Sequence, residues 1–314
     1  MTGKSLVYLD NAATSFPKPP AMVEAVRAFM SDVGANPGRS GHRLSVEAAR
    51  IVYRAREKIA GLFSAPDPLR VVFTLNVTEA LNLALRGLLR PGSHAVTTGI
   101  EHNSVMRPLR DLEKLGVEIT VVPVGPRGES RAEDFAAAVR PNTALFVVNH
   151  GSNVFGAITP LRDIGRIARE KKVLLVADTA QTAGVLPIAM EEDCIDVLCF
   201  TGHKGLLGPT GTGGLVLGPR VPEGLPARFK SGGTGSRSDR EEQPDFLPDM
   251  YECGTQNAAG IAGLLAGVEW ILRRGVEEIG KREKALLARL LDGLAGARGI
   301  TIHEGTGAAD TTAT

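Results

Sequence analysis

Ile195-Asp196-Val197-Leu198-Cys199-Phe200 runs directly into Thr201-Gly202-His203-Lys204-Gly205. The first six residues are apolar apart from Asp196 and read as a buried β-strand. The next five close that strand with a hydroxyl, a glycine, an imidazole and an amine. The amine of Lys204 is thereby expected at the carboxyl edge of a sheet, where open α/β sheets bind their ligands. Upstream, the apolar run Val173-Leu174-Leu175-Val176-Ala177 ends in Asp178-Thr179-Ala180-Gln181. It sets an acid at the same kind of edge.

Around these two runs, apolar segments of strand length recur at 70–73, 94–98, 117–122, 144–149 and 214–217. The segments between them, 78–89, 103–115, 131–139 and 160–171, carry helical apolar spacing. Strand–helix alternation of this kind predicts an α/β fold: a seven-stranded, mostly parallel sheet with helices on both faces. The connection 205–213 is too short for a helix, so the seventh strand is expected to run antiparallel to its neighbour. The N-terminal part reads as a helix near 21–32, a Gly/Asn/Pro-rich loop at 34–41 and a long helix near 44–63. Residues 224–250, rich in Pro, Gly and charge, read as a long irregular loop. Two long helical patterns follow at 256–273 and 276–295, and then a strand starting at Ile300-Thr301-Ile302. Asp310-Thr311-Thr312-Ala313-Thr314 reads as the start of a further strand with nothing after it, and suggests that the rest of a small domain is missing. The expected division is a segment 1–15 associated with the small domain, a large domain 16–255, and the start of a small α+β domain at 256–314.

Composition narrows the function classes. The net charge is +1, from 36 basic and 35 acidic residues, so no electrostatic case exists for nucleic acid or an anionic membrane. No apolar run reaches bilayer length and the N-terminus lacks a signal-peptide pattern. The three cysteines, Cys194, Cys199 and Cys253, have neither metal-like nor disulfide-framework spacing. A cytoplasmic location with reduced thiols and no metal is the expectation.

An amine and an acid at two strand ends are what pyridoxal 5'-phosphate chemistry requires. Lys204 would join the cofactor aldehyde and later carry a proton, and Asp178 would hold the pyridine nitrogen protonated. On its own Asp178 could equally be a helix cap, or a magnesium ligand in a nucleotide enzyme, but the chain has no G-x-x-x-x-G-K-[ST] loop. Phe73-Thr74-Leu75-Asn76-Val77-Thr78-Glu79-Ala80 reads as strand, turn and helix start. Backbone N–H groups there could bind phosphate with the Thr78 hydroxyl adding a donor, although a Thr near a cap is ordinary. Thr201 and His203 could serve the same phosphate. His102, in Gly99-Ile100-Glu101-His102-Asn103-Ser104, could stack on a flat cofactor or be a solvated loop histidine. Asn153 and Gln181 follow strand ends and could bond a cofactor oxygen, a substrate carboxylate or simply the loop.

The chain resembles the class V aminotransferase group of fold-type I pyridoxal-phosphate enzymes, and within it the cysteine desulfurases and selenocysteine lyases. The segments that carry the resemblance span nearly the whole chain in matching order. They are Tyr8-Leu9-Asp10-Asn11-Ala12-Ala13-Thr14, Asn76-Val77-Thr78-Glu79-Ala80-Leu81-Asn82, Glu101-His102-Asn103-Ser104, Ser152-Asn153-Val154-Phe155-Gly156, Asp178-Thr179-Ala180-Gln181, Thr201-Gly202-His203-Lys204-Gly205-Leu206-Leu207-Gly208-Pro209 and Glu252-Cys253-Gly254-Thr255-Gln256-Asn257.

The resemblance implies roles. Lys204 and His102 would be the catalytic pair, with His102 stacked on the ring. Asp178 would pair with the pyridine nitrogen and Gln181 with the phenolic oxygen. Asn76, Val77, Thr78, Thr201 and His203 would hold the phosphate. Asn153 would lie between the phenolic oxygen and the substrate carboxylate. Thr234 would reach the phosphate of a neighbouring subunit in a homodimer. Asn11, Ala12, Asn36 and His42 would line the substrate side. The implied reaction takes sulfur from L-cysteine: Lys204 removes the α-proton, an enzyme cysteine attacks the substrate sulfur and becomes a persulfide, and alanine leaves. A sulfur-acceptor protein would follow.

The family's nucleophilic cysteine and its carboxylate-binding arginine belong to a C-terminal segment beyond Thr314, and no cysteine follows Cys253. Cys199 reads as a core residue, and neither Cys194 nor Cys253 is assigned as the nucleophile. Gln256 stands where the family usually has proline. Two other readings therefore stay open: another class V reaction (transamination, a different β-elimination, or epimerisation), and a cofactor- or partner-binding form without turnover.

Overall fold

The computed structural model describes residues 7–38, 40–222, 230–237, 239–302 and 311–312. The chain opens with α1 (Pro20–Ala28), which starts on a proline whose missing N–H costs nothing in a first turn. α1 runs on as a π-helical turn, Phe29–Val33, and ends at Gly34 with φ 55°. α2 (Arg43–Leu62) follows, capped by His42, whose Nδ1 accepts from the Ser45 amide. Strands and helices then alternate: β1 (Val71–Thr74), α3 (Val77–Leu88), β2 (His94–Thr98), α4 (Asn103–Glu113), β3 (Glu118–Val122), α5 (Ala132–Ala137), β4 (Thr143–Asn149), α6 (Leu161–Glu170), β5 (Leu174–Asp178), β6 (Val197–Thr201) and β7 (Gly213–Leu217). Two helices close the chain, α7 (Ala258–Arg274) and α8 (Val276–Leu294).

The strands form one sheet in the order β1-β7-β6-β5-β4-β2-β3. Its centre is parallel, and β7 runs antiparallel to both neighbours, β6 and β1. The reversed seventh strand is the outcome that the short 205–213 connection demands. From β4 the chain steps through β5 to β6 in one direction, whereas from β2 it steps to β3 in the other. The order therefore switches between β2 and β4, and a crevice opens beyond the carboxyl ends of the strands there. The register aligns Asn149 with Asp178 and Asp178 with Cys199.

Alternate strand residues enter two cores, because successive side chains point to opposite faces. Phe146, Val148, Leu175, Ala177, Leu198 and Phe200 meet α2, α5, α6 and α7 on one face. Leu145, Val147, Val176, Val197 and Cys199 meet α3 and α4 on the other. Burying a large apolar side chain of this kind contributes about 1.5–3 kcal/mol, so the central strands are the most firmly held part of the sheet.

Two glycines permit close approaches that position the site. A Cβ on Gly213 would lie 2.7 Å from the Asn76 backbone, so glycine lets β7 pass the start of α3. A Cβ on Gly267 would lie 2.5 Å from the Leu206 carbonyl, so glycine lets α7 cross the turn that carries Lys204.

Two expectations differ from the structure. Ile300-Thr301-Ile302 forms no strand: residues 300–302 are exposed and no described strand stands beside them to accept a ladder. Of the run 310–314, only Thr311 and Thr312 are described. Both are buried, and Thr311 makes a single antiparallel bridge to Ala157. The described part of 224–250 is irregular, as read from the sequence, and residues 224–229 and 238 lie outside the described residues. No helix among the described residues is long and apolar enough to cross a membrane.

Candidate active site

Thr201 is the last residue of β6, and the turn 202–208 folds directly off it. The Gly208 amide donates to the Gly202 carbonyl at 2.7 Å, and the Gly202 amide donates to Thr212 at 2.8 Å. This tight turn holds the half-buried Lys204 beside the end of β5, where Asp178 is 5% exposed. Among the described residues the Lys204 amine makes no hydrogen bond. Burial lowers its pKa, and the nearby Asp178 carboxylate opposes that shift. Burial raises the Asp178 pKa, while the Ala180 amide and the charges of His102 and Lys204 pull it back. A carboxylate enclosed in this way is stabilised by a cation placed against it.

The Thr201 Oγ1 and His203 Nδ1 atoms are buried without a hydrogen-bond partner among the described residues. Such orphans cost on the order of 1–3 kcal/mol each, and here two of them flank one lysine. Burial, Lys204 and Lys18 all lower the His203 pKa, so the imidazole is neutral and has one N–H to give. Thr201 pairs with Gly213 across the sheet, and Gly213 abuts Asn76. That contact brings the start of α3 to the same place. Asn76 caps α3, its Oδ1 accepting from the Glu79 amide at 2.9 Å, and Glu79 Oε2 in turn accepts from the Leu75 amide at 2.8 Å. The amides of Val77 and Thr78 are the first two of the helix and have no intrahelical acceptor. Orphan amides, a neutral imidazole and a buried hydroxyl together suit a phosphate group.

His102 caps α4. Its Nδ1 lies 3.0 Å from the Ser104 amide and 2.7 Å from the Ser104 hydroxyl, and accepts from the amide. The exposed ring is thereby fixed with its other nitrogen outward. Gln181 donates to the Ala12 carbonyl at 3.3 Å. A cavity of about 240 Å³ is lined by Asn11, Ala12, Gln181 and Lys204, together with Trp270 and Thr312. Asn153 is exposed in a turn that Ser152 Oγ organises by accepting from the Val154 and Phe155 amides.

Asn36 and His42, expected on the substrate side, stand apart from Lys204, as does Thr234, expected to serve a neighbouring subunit. Asn36 and Thr234 line a separate cleft of about 310 Å³ beside Arg56 and Glu252. His42 is spent on capping α2, and the Ser45 it caps donates to the Asn36 carbonyl at 2.9 Å. Cys194 and Cys199 are buried, and burial pushes the Cys199 thiol pKa up. Cys253 is partly exposed and lines a third pocket, of about 150 Å³, with Lys230 and Thr255.

The geometry has counterparts. The model of the class-V aminotransferases matches residues 7–313. The chain belongs to the class-V aminotransferase family. It is 37% identical over 281 residues to a probable cysteine desulfurase of Methanothermobacter thermautotrophicus, covering 88% of this chain and 69% of that protein. It is 35% identical over 266 residues to the cysteine desulfurase IscS of Neisseria meningitidis, covering 83% of this chain and 64% of the relative. The apo structure of a cysteine desulfurase from Thermococcus onnurineus superposes with a TM-score of 0.91 at 30% identity, covering 98% of this chain and 77% of that one. The fold of this class-V member is thus the one expected from its sequence.

Several buried or half-buried polar groups in or near the site carry no local signal in the sequence. Glu101 accepts from the Thr98 hydroxyl at 2.6 Å and from the Asn149 amide at 3.1 Å, while its Oε2 is buried and unpartnered. Burial pushes its pKa up to about 8, so it is mostly a neutral acid at pH 7. Its place beside His102 in a quoted motif was the available hint. Arg56 and Glu252 form a buried ion pair to which the Phe73 amide also donates. They are 196 residues apart, and no local pattern links them. Lys18 reads in sequence only as part of the proline-rich lead into α1.

Proposed function

We propose that this chain is a pyridoxal-5'-phosphate enzyme of cysteine desulfurase type, acting on L-cysteine or a related amino acid. The observation that carries the reading is Lys204 beside Asp178 with two buried polar atoms, Thr201 Oγ1 and His203 Nδ1, that have no partner among the described residues. An enclosed acid, a desolvated amine and orphan donors at a helix start match the three polar parts of this cofactor. Relatives and similar structures named cysteine desulfurases support the choice of reaction, as does a similar structure of SspA in complex with cysteine.

When bound, the cofactor supplies an electron sink for a carbanion formed at the substrate α-carbon. The chain's own residues do the rest. Lys204, its pKa lowered by burial, takes the α-proton on its Nζ when neutral. Asp178, enclosed at the end of β5, would hold a proton on a pyridine nitrogen. His102 presents a fixed ring face, held through Nδ1. Thr201, His203 and the Val77 and Thr78 amides would hold the phosphate, and Gln181 and Asn153 would orient the oxygen side. Asn11 and Ala12, which line the Lys204 cavity, would serve the substrate. In a homodimer Thr234 reaches the neighbour's phosphate; in this chain its hydroxyl lies 3.1 Å from that of Ser236. A cytoplasmic location, a sulfur-acceptor partner and the domain division at residues 15 and 255 belong to the same proposal, with α7 lying against the larger body.

The test is spectroscopic and chemical. Protein mixed with pyridoxal 5'-phosphate should develop a visible band that borohydride abolishes, and Lys204→Ala should show neither band nor turnover. With L-cysteine and an added thiol that accepts and reduces the sulfur, the products should be alanine and sulfide. A band that survives Lys204→Ala rejects the assignment of the lysine. Pyruvate and ammonia in place of alanine would move the protein to the β-eliminating lyases.

A further inference from the structure

The turn carrying Lys204 is gripped from outside by the N-terminal segment. Four groups converge on the His203 carbonyl: the Ser15 amide at 3.1 Å, the Ser15 hydroxyl at 3.1 Å, the Thr14 hydroxyl at 3.2 Å and the Lys18 ammonium at 2.6 Å. Lys18 also donates to Ser15 Oγ at 2.7 Å, and that hydroxyl stands 3.0 Å from the Lys204 carbonyl. A carbonyl oxygen has two lone pairs and a hydroxyl one proton. With three other donors on the His203 carbonyl, the Ser15 proton is best placed on the Lys204 carbonyl. Lys18 thus fills the acceptor side of Ser15 and turns its proton toward the residue that carries the chemistry.

We propose that Lys18 is a positioning residue for Lys204, holding the His203 and Lys204 carbonyls through one charged donor and through Ser15 so that the Lys204 amine meets a ligand aldehyde at a fixed angle. The inference rests on the cofactor reading above. Three features set Lys18 apart from an ordinary surface lysine. Its two contacts are at 2.6 and 2.7 Å, in the range of charge-assisted hydrogen bonds. Burial lowers its pKa to about 8, which still leaves it charged at neutral pH. Pro17, Pro19 and Pro20 surround it and restrict the backbone from which it reaches. Its charge also bears on His203, helping to keep that imidazole neutral.

The experiment loads the full chain with pyridoxal 5'-phosphate. It follows three readouts: the rate of the borohydride-trapped adduct on the Lys204 peptide, the dissociation constant, and the thermal midpoint without ligand. Lys18→Met keeps the length and removes the charge. It should slow trapping and weaken binding about tenfold, the worth of one charged hydrogen bond. Lys18→Arg should restore most of both. Ser15→Ala should shift both in the same direction by less, and it keeps the proposal testable should Lys18→Met fold poorly. Equal trapping and binding by wild type and Lys18→Met overturn the proposal. So does a loss that Lys18→Arg leaves in place while the midpoint falls, because that is a packing defect. Absence of any adduct on Lys204 in the wild type overturns the cofactor reading and this inference with it. A wild type that loads normally beside an equally competent Lys18→Met overturns the inference alone.

Discussion

Arg56 and Glu252 make one buried polar cluster; Lys204, Asp178, Thr201 and His203 make another. In the first, both charged groups meet partners. The guanidinium bonds both carboxylate oxygens and the Val71 carbonyl, and the carboxylate also takes the Phe73 amide and the Gln256 side chain. The Arg56 guanidinium also sits 4.7 Å from the centre of the Phe73 ring. In the second, a hydroxyl and an imidazole nitrogen find nothing, and the amine and acid feel each other only through space. A closed network is what a structural role needs. An open one fits the proposed binding of a ligand that completes it.

The largest effect should come from opening the closed cluster. Arg56→Met leaves Glu252 buried and unpaired, and should cost about 3–5 kcal/mol in denaturant unfolding. A loss under 1 kcal/mol would erase the distinction between the two clusters. Glu101, outside both clusters, should respond to pH instead. Glu101 is held protonated up to about pH 8 in the folded chain, against 4.5 as its ordinary value. The folded state therefore keeps a proton that the unfolded state releases. The stability this contributes is complete below pH 4.5 and is lost as pH rises toward 8. Glu101→Gln keeps an acceptor for Thr98 and Asn149 and removes the ionisation. It should be more stable than wild type at pH 8 by about 3–4 kcal/mol, with most of the gap closed at pH 5. Equal slopes of thermal midpoint against pH would refute the buried acid. The smallest stability change is expected from Thr201→Val. It deletes an unpartnered hydroxyl at nearly constant shape, so ligand-free stability should move by less than about 1 kcal/mol. Affinity for pyridoxal 5'-phosphate should drop about tenfold in a titration. Unchanged affinity would take Thr201 out of the phosphate site.

The legible and illegible parts of the molecule divide by range. The runs around β4, β5 and β6 announce themselves, because strands buried on both faces must be apolar throughout. Their ends are visible as the points where hydroxyl, acid and amine residues begin. The reversed β7 followed from the length of one loop. The strand expected at 300–302 did not form, since alternation signals a strand only when a partner lies alongside. Arg56–Glu252 and Lys18–His203 escaped because each joins residues more than 150 apart in sequence. Neither member looks unusual alone. Glu101 was in plain view within a motif. Its importance comes from burial against Asn149, which no local pattern encodes.

The sequence alone therefore determined the α/β class, the strand ends that carry chemistry and the family, since each of these is written in short runs of adjacent residues. Tertiary structure decided which polar groups close on each other and which remain open. It set Asn36 and Thr234 in a different cleft from Lys204, and it brought Thr14, Ser15 and Lys18 onto the turn that holds the lysine. The physical reason is that satisfying a donor or acceptor depends on what folding brings within 3 Å of it, and the chain sets that distance only once the sheet and its helices have packed.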